Sequence, residues 1–243
     1  MILRLIKVEN YQELSKQACD KVVEKITTLE KPILGLATGS TPTGLYQCLH
    51  EVYEKGEVSF THTHTFNLDE YVGLAGENPN SYRYYMNEKL FKHIDIPLDQ
   101  TYIPNGKAND LEKECQRYEQ LLRSVEEIDI QILGLGLNGH IGFNEPGTSF
   151  NTDTHIVDLT TSTRKANARF FEGIESVPTQ AITMGIRTIM QSNSILLLVS
   201  GEKKAEALNR LMNGEISEDF PASILQQHPN VTIIADRAAL KYV

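Results

Sequence analysis

Residues 134–147 gather one histidine, His140, one carboxylate, Glu145, and two amides, Asn138 and Asn144, among glycines at 134, 136, 139 and 142. Each interior glycine costs a helix about 1 kcal/mol relative to alanine, so the segment suits a tight turn that brings backbone N–H groups close to a ligand. His140 is the only side chain in it that titrates near neutrality. Glu145 or Asn138 can hold its ring in one tautomer. These residues suit proton transfer on a small polar molecule. A surface turn with an incidental histidine fits the stretch alone about equally well, because a glycine-rich loop after a strand is a weak signal. The apolar run 129–133 ahead of it reads as that strand.

Three other polar stretches also follow apolar runs. Residues 33–37 lead into Thr38, Gly39, Ser40, Thr41 and Pro42, and a helical pattern then runs to about residue 55. Free N–H groups and hydroxyls at a strand-to-helix turn favour an anion such as phosphate. The Lys and Gly spacings of a Walker loop or a dinucleotide fingerprint are missing. Residues 62–68 end in Asp69, Glu70 and Tyr71. Either carboxylate could be the working one, and Asp69 could instead cap the following helix. Residues 195–199, the most apolar run, are followed by Ser200, Gly201, Glu202, Lys203 and Lys204. Arg164, Lys165 and Arg169 lie on a helical pattern opening near Thr163, where such charges are usually a solvated face. His62 and His64 lack a third ligand nearby, so a structural role is expected and not a metal site.

These stretches must be positioned by the elements around them. Strands alternate with helices from residue 1 to 243, with no linker or repeat. This pattern predicts one α/β domain: a doubly wound, mostly parallel sheet of modified Rossmann-like type, with helices on both faces. Ligands of such sheets sit outside the carboxyl ends of the strands. All four polar stretches follow strands, so a parallel sheet brings them to one edge. That convergence predicts an anion cradle, one or two carboxylates, a histidine and a lysine in a single site. The chemistry it supports is proton transfer on a phosphorylated small molecule, with no metal or organic cofactor.

The whole chain sets further bounds. The net charge of −9 over 243 residues argues against a nucleic-acid partner and requires that any anion be met by a local basic cluster. Cys19, Cys48 and Cys115 are odd in number and well separated, which fits reduced thiols in the cytosol. The N-terminus lacks a signal-peptide profile, and no apolar run approaches membrane-spanning length. A cytoplasmic protein without a membrane partner is expected.

The motifs at residues 36–42, 67–71, 139–146 and 163–171 together resemble glucosamine-6-phosphate deaminase, and the resemblance runs over nearly the whole chain. It implies conversion of glucosamine 6-phosphate and water to fructose 6-phosphate and ammonia, without a cofactor, in amino-sugar catabolism. It further implies that Asp69 moves a proton between C2 and C1 of the open-chain sugar. His140 would open the pyranose ring, held by Glu145 and Asn138. Thr38, Gly39, Ser40 and Thr41 would take the phosphate with Arg169 and Lys204, Lys203 being the weaker choice. Many members carry Asp where this chain has Asn138, which leaves Glu145 more of the electrostatic work on His140. The allosteric branch is hexameric, with a longer C-terminal tail and basic residues where this chain has His155, Val157 and Asp158. A short, non-allosteric bacterial type and a monomer are therefore expected. Its alternatives are a 6-phosphogluconolactonase, a deaminase for the galactosamine epimer, and a sensor that binds a sugar phosphate without turnover.

Overall fold

The computed structural model describes residues 3–125 and 127–243. In chain order its elements are β1 (Arg4–Val8), α1 (Tyr11–Thr28), β2 (Ile33–Leu36), α2 (Thr43–Glu54), β3 (His64–Asn67), β4 (Asp69–Tyr71), α3 (Tyr82–Lys89), β5 (Thr101–Tyr102) and α4 (Leu111–Ser124). Then follow β6 (Ile130–Gly134), β7 (His155–Asp158), α5 (Thr161–Asn167), β8 (Gln180–Thr183), α6 (Ile186–Met190), β9 (Ile195–Val199), α7 (Ala205–Asn213) and β10 (Val231–Asp236). The main helices carry the caps that their sequence signals call for: Asn10, Ser81 and Asp110 accept from the backbone N–H three residues on, at α1, α3 and α4. Pro42 stands one residue before α2 and not inside its first turn.

Seven strands form one sheet in the order β1-β10-β9-β6-β2-β3-β5, and all its pairings are parallel. From β2 the chain steps outward through β3 to β5, then returns to β6 on the other side of β2 and steps outward again through β9 to β10. Right-handed crossovers place the helices of the two runs on opposite faces. The reversal between β2 and β6 is the topological switch point, where a crevice opens at the carboxyl ends of the strands. The four strands that end in polar stretches, β9, β6, β2 and β3, are consecutive neighbours around it. Their alternation is erased because both faces are covered: Ile195, Leu196, Leu197, Leu198 and Val199 are all buried.

One feature departs from the expected single sheet. β4, β8 and β7 form a separate three-stranded antiparallel sheet. The residue run 62–71 therefore does not make one strand; it changes sheets at Leu68. The Leu68 N–H donates to the Leu36 carbonyl of β2 at 3.1 Å, and the Leu68 carbonyl accepts from the Met184 N–H at 2.6 Å. Each side of this peptide thus belongs to a different sheet. A smaller apolar cluster of Tyr71, Phe143, Leu159 and Ala181 packs there, apart from the main core. Among the described residues no helix is long and apolar enough to cross a membrane.

Candidate active site

Asp69 is the first residue after this change of sheet. It is buried, and its register partner in the antiparallel sheet is Thr183. Burial pushes its carboxyl up to about 8, with the neighbouring Glu70 charge adding to the effect. Tyr46, Tyr71, Tyr82 and Tyr118 all lie close enough to feel its charge. An uncharged acid among aromatic rings, with no hydrogen bond to stabilise its anion among the described residues, becomes a strong base once ionised.

Glu70 is the opposite case. Its carboxylate accepts from the N–H groups of Tyr71, Tyr82 and Arg83, each at 2.9 Å. These bonds satisfy the open N-terminus of α3. They oppose the rise in pKa that burial causes. The capping role that the sequence left open for Asp69 thus belongs to Glu70.

The β6 loop supplies the histidine. The His140 ring lies flat against Gly136, where a Cβ would stand 2.5 Å from its Cγ and Nδ1, so no larger residue fits there. The same loop passes Asp69 at Gly142, whose position would put a Cβ 3.7 Å from Asp69 Oδ2. Burial holds the His140 pKa below its ordinary value; the Glu145 charge opposes this and the Lys204 cation adds to it. The ring is therefore neutral at neutral pH. Its Nδ1 stands 3.7 Å from Glu145 Oε2, beyond hydrogen-bond distance, and has no hydrogen-bond partner among the described residues.

Asn138 does not reach this ring. Its Nδ2 donates to Glu145 Oε2 at 2.7 Å, and its Oδ1 accepts from the His140 backbone N–H at 3.2 Å. It ties the carboxylate to the loop and holds the histidine through the main chain. A carboxylate at position 138 could accept the N–H bond but could not donate to Glu145. Two further donors escaped the sequence reading. Thr163 Oγ1 makes a short hydrogen bond to Glu145 Oε1, and Thr160 Oγ1 lies 3.4 Å from the same atom. Thr160 is also the N-cap of α5: its hydroxyl accepts from the Thr163 N–H and lies 3.1 Å from Thr163 Oγ1. A threonine pair three apart ahead of a helix is the usual capping signal; nothing local in the sequence points it at a carboxylate 18 residues away. Thr163→Val should leave Glu145 short of a donor and cost about 1–3 kcal/mol, measured by chemical denaturation.

The cations converge as well. Lys204 Nζ donates to the Leu135 carbonyl at 2.6 Å, which brings the end of the β9 loop onto the start of the β6 loop. Burial lowers its pKa, and the nearby Arg169 guanidinium lowers it further. Two like charges held close together in a protein of net charge −9 repel, a cost that a bound anion would relieve. Lys203 is exposed. Asp236 supports this corner, accepting from Ser200 Oγ at 2.5 Å and from the Gly201 N–H at 3.1 Å. The loop of Thr38, Gly39, Ser40 and Thr41 lies between β2 and α2, and β2 is the sheet neighbour of β6. Tyr82 reaches Thr38 from the α3 side. Among the described residues no group of three or more His, Cys, Asp or Glu side chains is placed to hold a metal ion. His62 and His64 form no such group.

The chain is similar to known proteins over nearly its whole length. Residues 9–234 match the family model described as glucosamine-6-phosphate isomerases/6-phosphogluconolactonase. A glucosamine-6-phosphate deaminase of Oceanobacillus iheyensis is 59% identical over 239 residues, covering 98% of this chain and 96% of that protein. Glucosamine-6-phosphate deaminase 1 of Bacillus subtilis is 52% identical, covering 98% of each. A solved structure described as a monomeric glucosamine-6-phosphate deaminase superposes with a TM-score of 0.98 at 51% identity, covering 99% of this chain and 100% of that one. The 6-phosphogluconolactonase of Trypanosoma cruzi shares the fold, with a TM-score of 0.79 at 22% identity.

Proposed function

The chain belongs to the glucosamine-6-phosphate isomerase/6-phosphogluconolactonase family, and we infer from that membership and from the site that it converts glucosamine 6-phosphate and water to fructose 6-phosphate and ammonia. The observation that carries the deaminase over the lactonase is Asp69. Lactone hydrolysis has no need of a buried carbon base at the change of sheet, whereas an aldose-to-ketose shift does.

The roles follow from chemistry. His140, neutral and backed by Glu145, moves a proton between the ring oxygen and O1, which opens the pyranose. Asp69, once ionised, takes the C2 proton of the open-chain aldehyde, and a proton of the substrate's own C2 ammonium group passes to O1, which leaves a neutral enolamine with a C1 hydroxyl. The same carboxyl returns the proton to C1. The product is a C2 iminium, which adds water and expels ammonia to leave the C2 ketone. Atoms balance as one water in and one ammonia out. A carboxylic acid that exchanges one proton between adjacent carbons suffices for this shift.

The phosphate is met by the backbone of the loop at residues 38–41, with Arg169 and Lys204 supplying charge. Lys204→Ala and Arg169→Ala should each raise KM roughly 10- to 100-fold with a smaller effect on kcat, because a charge-assisted contact is lost. Steady-state kinetics would check this, and unchanged KM values would remove both residues from the phosphate site. We also read the chain as one domain and as a monomer, in line with the monomeric relative, and without activation by an acetylated sugar phosphate. Its place is the cytoplasm, since a phosphorylated sugar does not cross a membrane unaided.

The direct test is incubation of the protein with glucosamine 6-phosphate and quantification of both products. Ammonia and fructose 6-phosphate should appear in equal amounts. No release of either, with the sugar phosphate still raising the melting temperature, would leave a binding protein and sink the enzyme reading.

A further inference from the structure

The loop at residues 38–41 has a carbonyl edge as well as an N–H edge. The carbonyls of Ala37, Gly39, Ser40 and Thr41 are held by three tyrosines, one from each of three helices. Tyr46 Oη of α2 donates to the Ala37 carbonyl at 2.5 Å. Tyr85 Oη of α3 donates to the Gly39 carbonyl at 2.6 Å. Tyr11 Oη, at the start of α1, donates to the carbonyls of Ser40 and Thr41 at 3.1 and 3.0 Å. Tyr11 Oη also accepts from the Gly44 N–H at 2.8 Å, which pins the loop to the first turn of α2. Thr43 Oγ1 adds a bond to the Gly39 carbonyl at 3.1 Å.

In a trans peptide the C=O of one residue and the N–H of the next point in opposite directions. A phenol on the Ala37 carbonyl therefore turns the Thr38 N–H to the side opposite Tyr46. Phenols on the Gly39 and Ser40 carbonyls do the same for the N–H groups of Ser40 and Thr41. The fourth carbonyl, of Thr41, precedes Pro42, which has no N–H. The three N–H groups so aimed donate to nothing among the described residues. Gly39 takes φ +94° with open space where a Cβ would stand, so a ligand can approach this edge closely.

We propose that Tyr85 and Tyr11 are positioning residues for the phosphate group: their hydroxyls hold the carbonyl edge of the loop so that its N–H edge is set for the dianion before substrate arrives. The proposal rests on the deaminase reading only for the identity of the phosphate's carrier. Preorganised donors bind better because their ordering is not charged to the binding step. Tyr46 is fully buried and serves stability too, since its loss would strand a buried carbonyl. Tyr85 and Tyr11 are partly open, so water can replace their hydroxyls and the chain still folds.

The test uses Tyr85→Phe and Tyr11→Phe, which keep the rings. Kd for inorganic phosphate, by calorimetry, and KM for glucosamine 6-phosphate should both rise roughly three- to tenfold, the effect of one neutral hydrogen bond. The turnover number should stay within about twofold of the parent, because the hydroxyls touch no reacting atom. An unchanged phosphate Kd in both variants would overturn the proposal. So would a fall in kcat with KM and Kd untouched, which is what a merely structural role produces. The phosphate titration needs no turnover, so a parent protein that fails to deaminate would refute the function and leave this test standing.

Discussion

Asp69→Asn should abolish turnover and make the protein more stable, by a margin that grows with pH. The loss of activity is expected to reach at least about 10³-fold, since an amide cannot accept the C2 proton and general base catalysis alone contributes about 10²–10⁴. The gain in stability follows from linkage. The Asp69 carboxyl is pushed up to about 8 in the folded protein, against 3.8 for an ordinary one. Below the lower value both states are protonated and the group contributes nothing. Between the two values the unfolded chain ionises and the folded one does not, so stability falls as pH rises; above about 8 the loss is complete. Full ionisation costs on the order of 5 kcal/mol at about 1.4 kcal/mol per pKa unit. Asparagine stands in for the neutral acid and removes the slope. Melting temperatures of the two proteins should therefore coincide near pH 4 and separate by on the order of 10 °C at pH 8. The same ionisation should place the acidic limb of kcat/KM near 8, far above the ordinary carboxyl value. Coincident melting curves across that range would mean that Asp69 is solvated and that burial does not raise its pKa.

His140→Gln should cost roughly 10²–10⁴ in kcat, with little change in affinity for a sugar that is already open. The ring is held by packing against Gly136 and by its own backbone N–H bond to Asn138, not by a hydrogen bond at Nδ1. Glutamine removes the titrating nitrogen without introducing charge. If His140 serves ring opening, an open-chain inhibitor such as 2-amino-2-deoxyglucitol 6-phosphate should bind variant and parent with Ki values within about twofold, since a group that acts only on the closing bond adds no uniform binding. A large loss of inhibitor affinity would instead make His140 a binding residue. Because burial and Lys204 keep its pKa below the ordinary histidine value, the neutral ring persists into mildly acid solution. The histidine should therefore not produce the near-neutral limb of the pH profile; Asp69 should.

Much of this protein is decided within a few residues of chain. Apolar runs of four to six residues ending in Gly, Ser, Thr or Asp, followed by helical stripes with Asn10, Ser81 and Asp110 as caps, determine a parallel α/β sheet and its loops. The residue types of the site are equally local: His140 among glycines, the hydroxyl-rich turn at residues 38–41, the carboxylates after residue 67. What no local pattern contains is which strands become neighbours. Only the sheet order sets β9, β6, β2 and β3 side by side, and with them Lys204 against the Leu135 carbonyl, 69 residues apart in sequence. Asp69 and Glu70 are adjacent carboxylates of the same class, yet Glu70 accepts from the first N–H groups of α3 and Asp69 has no hydrogen-bond partner among the described residues. The choice was made at Leu68, where the chain leaves one sheet for another and turns the two side chains to different surroundings. The donors on Glu145 come from its own loop and from the start of α5, and the phenols behind the loop at residues 38–41 from three separate helices. Hydrogen-bond direction and desolvation depend on what surrounds a group in space, and burial by distant segments is what raises the Asp69 pKa.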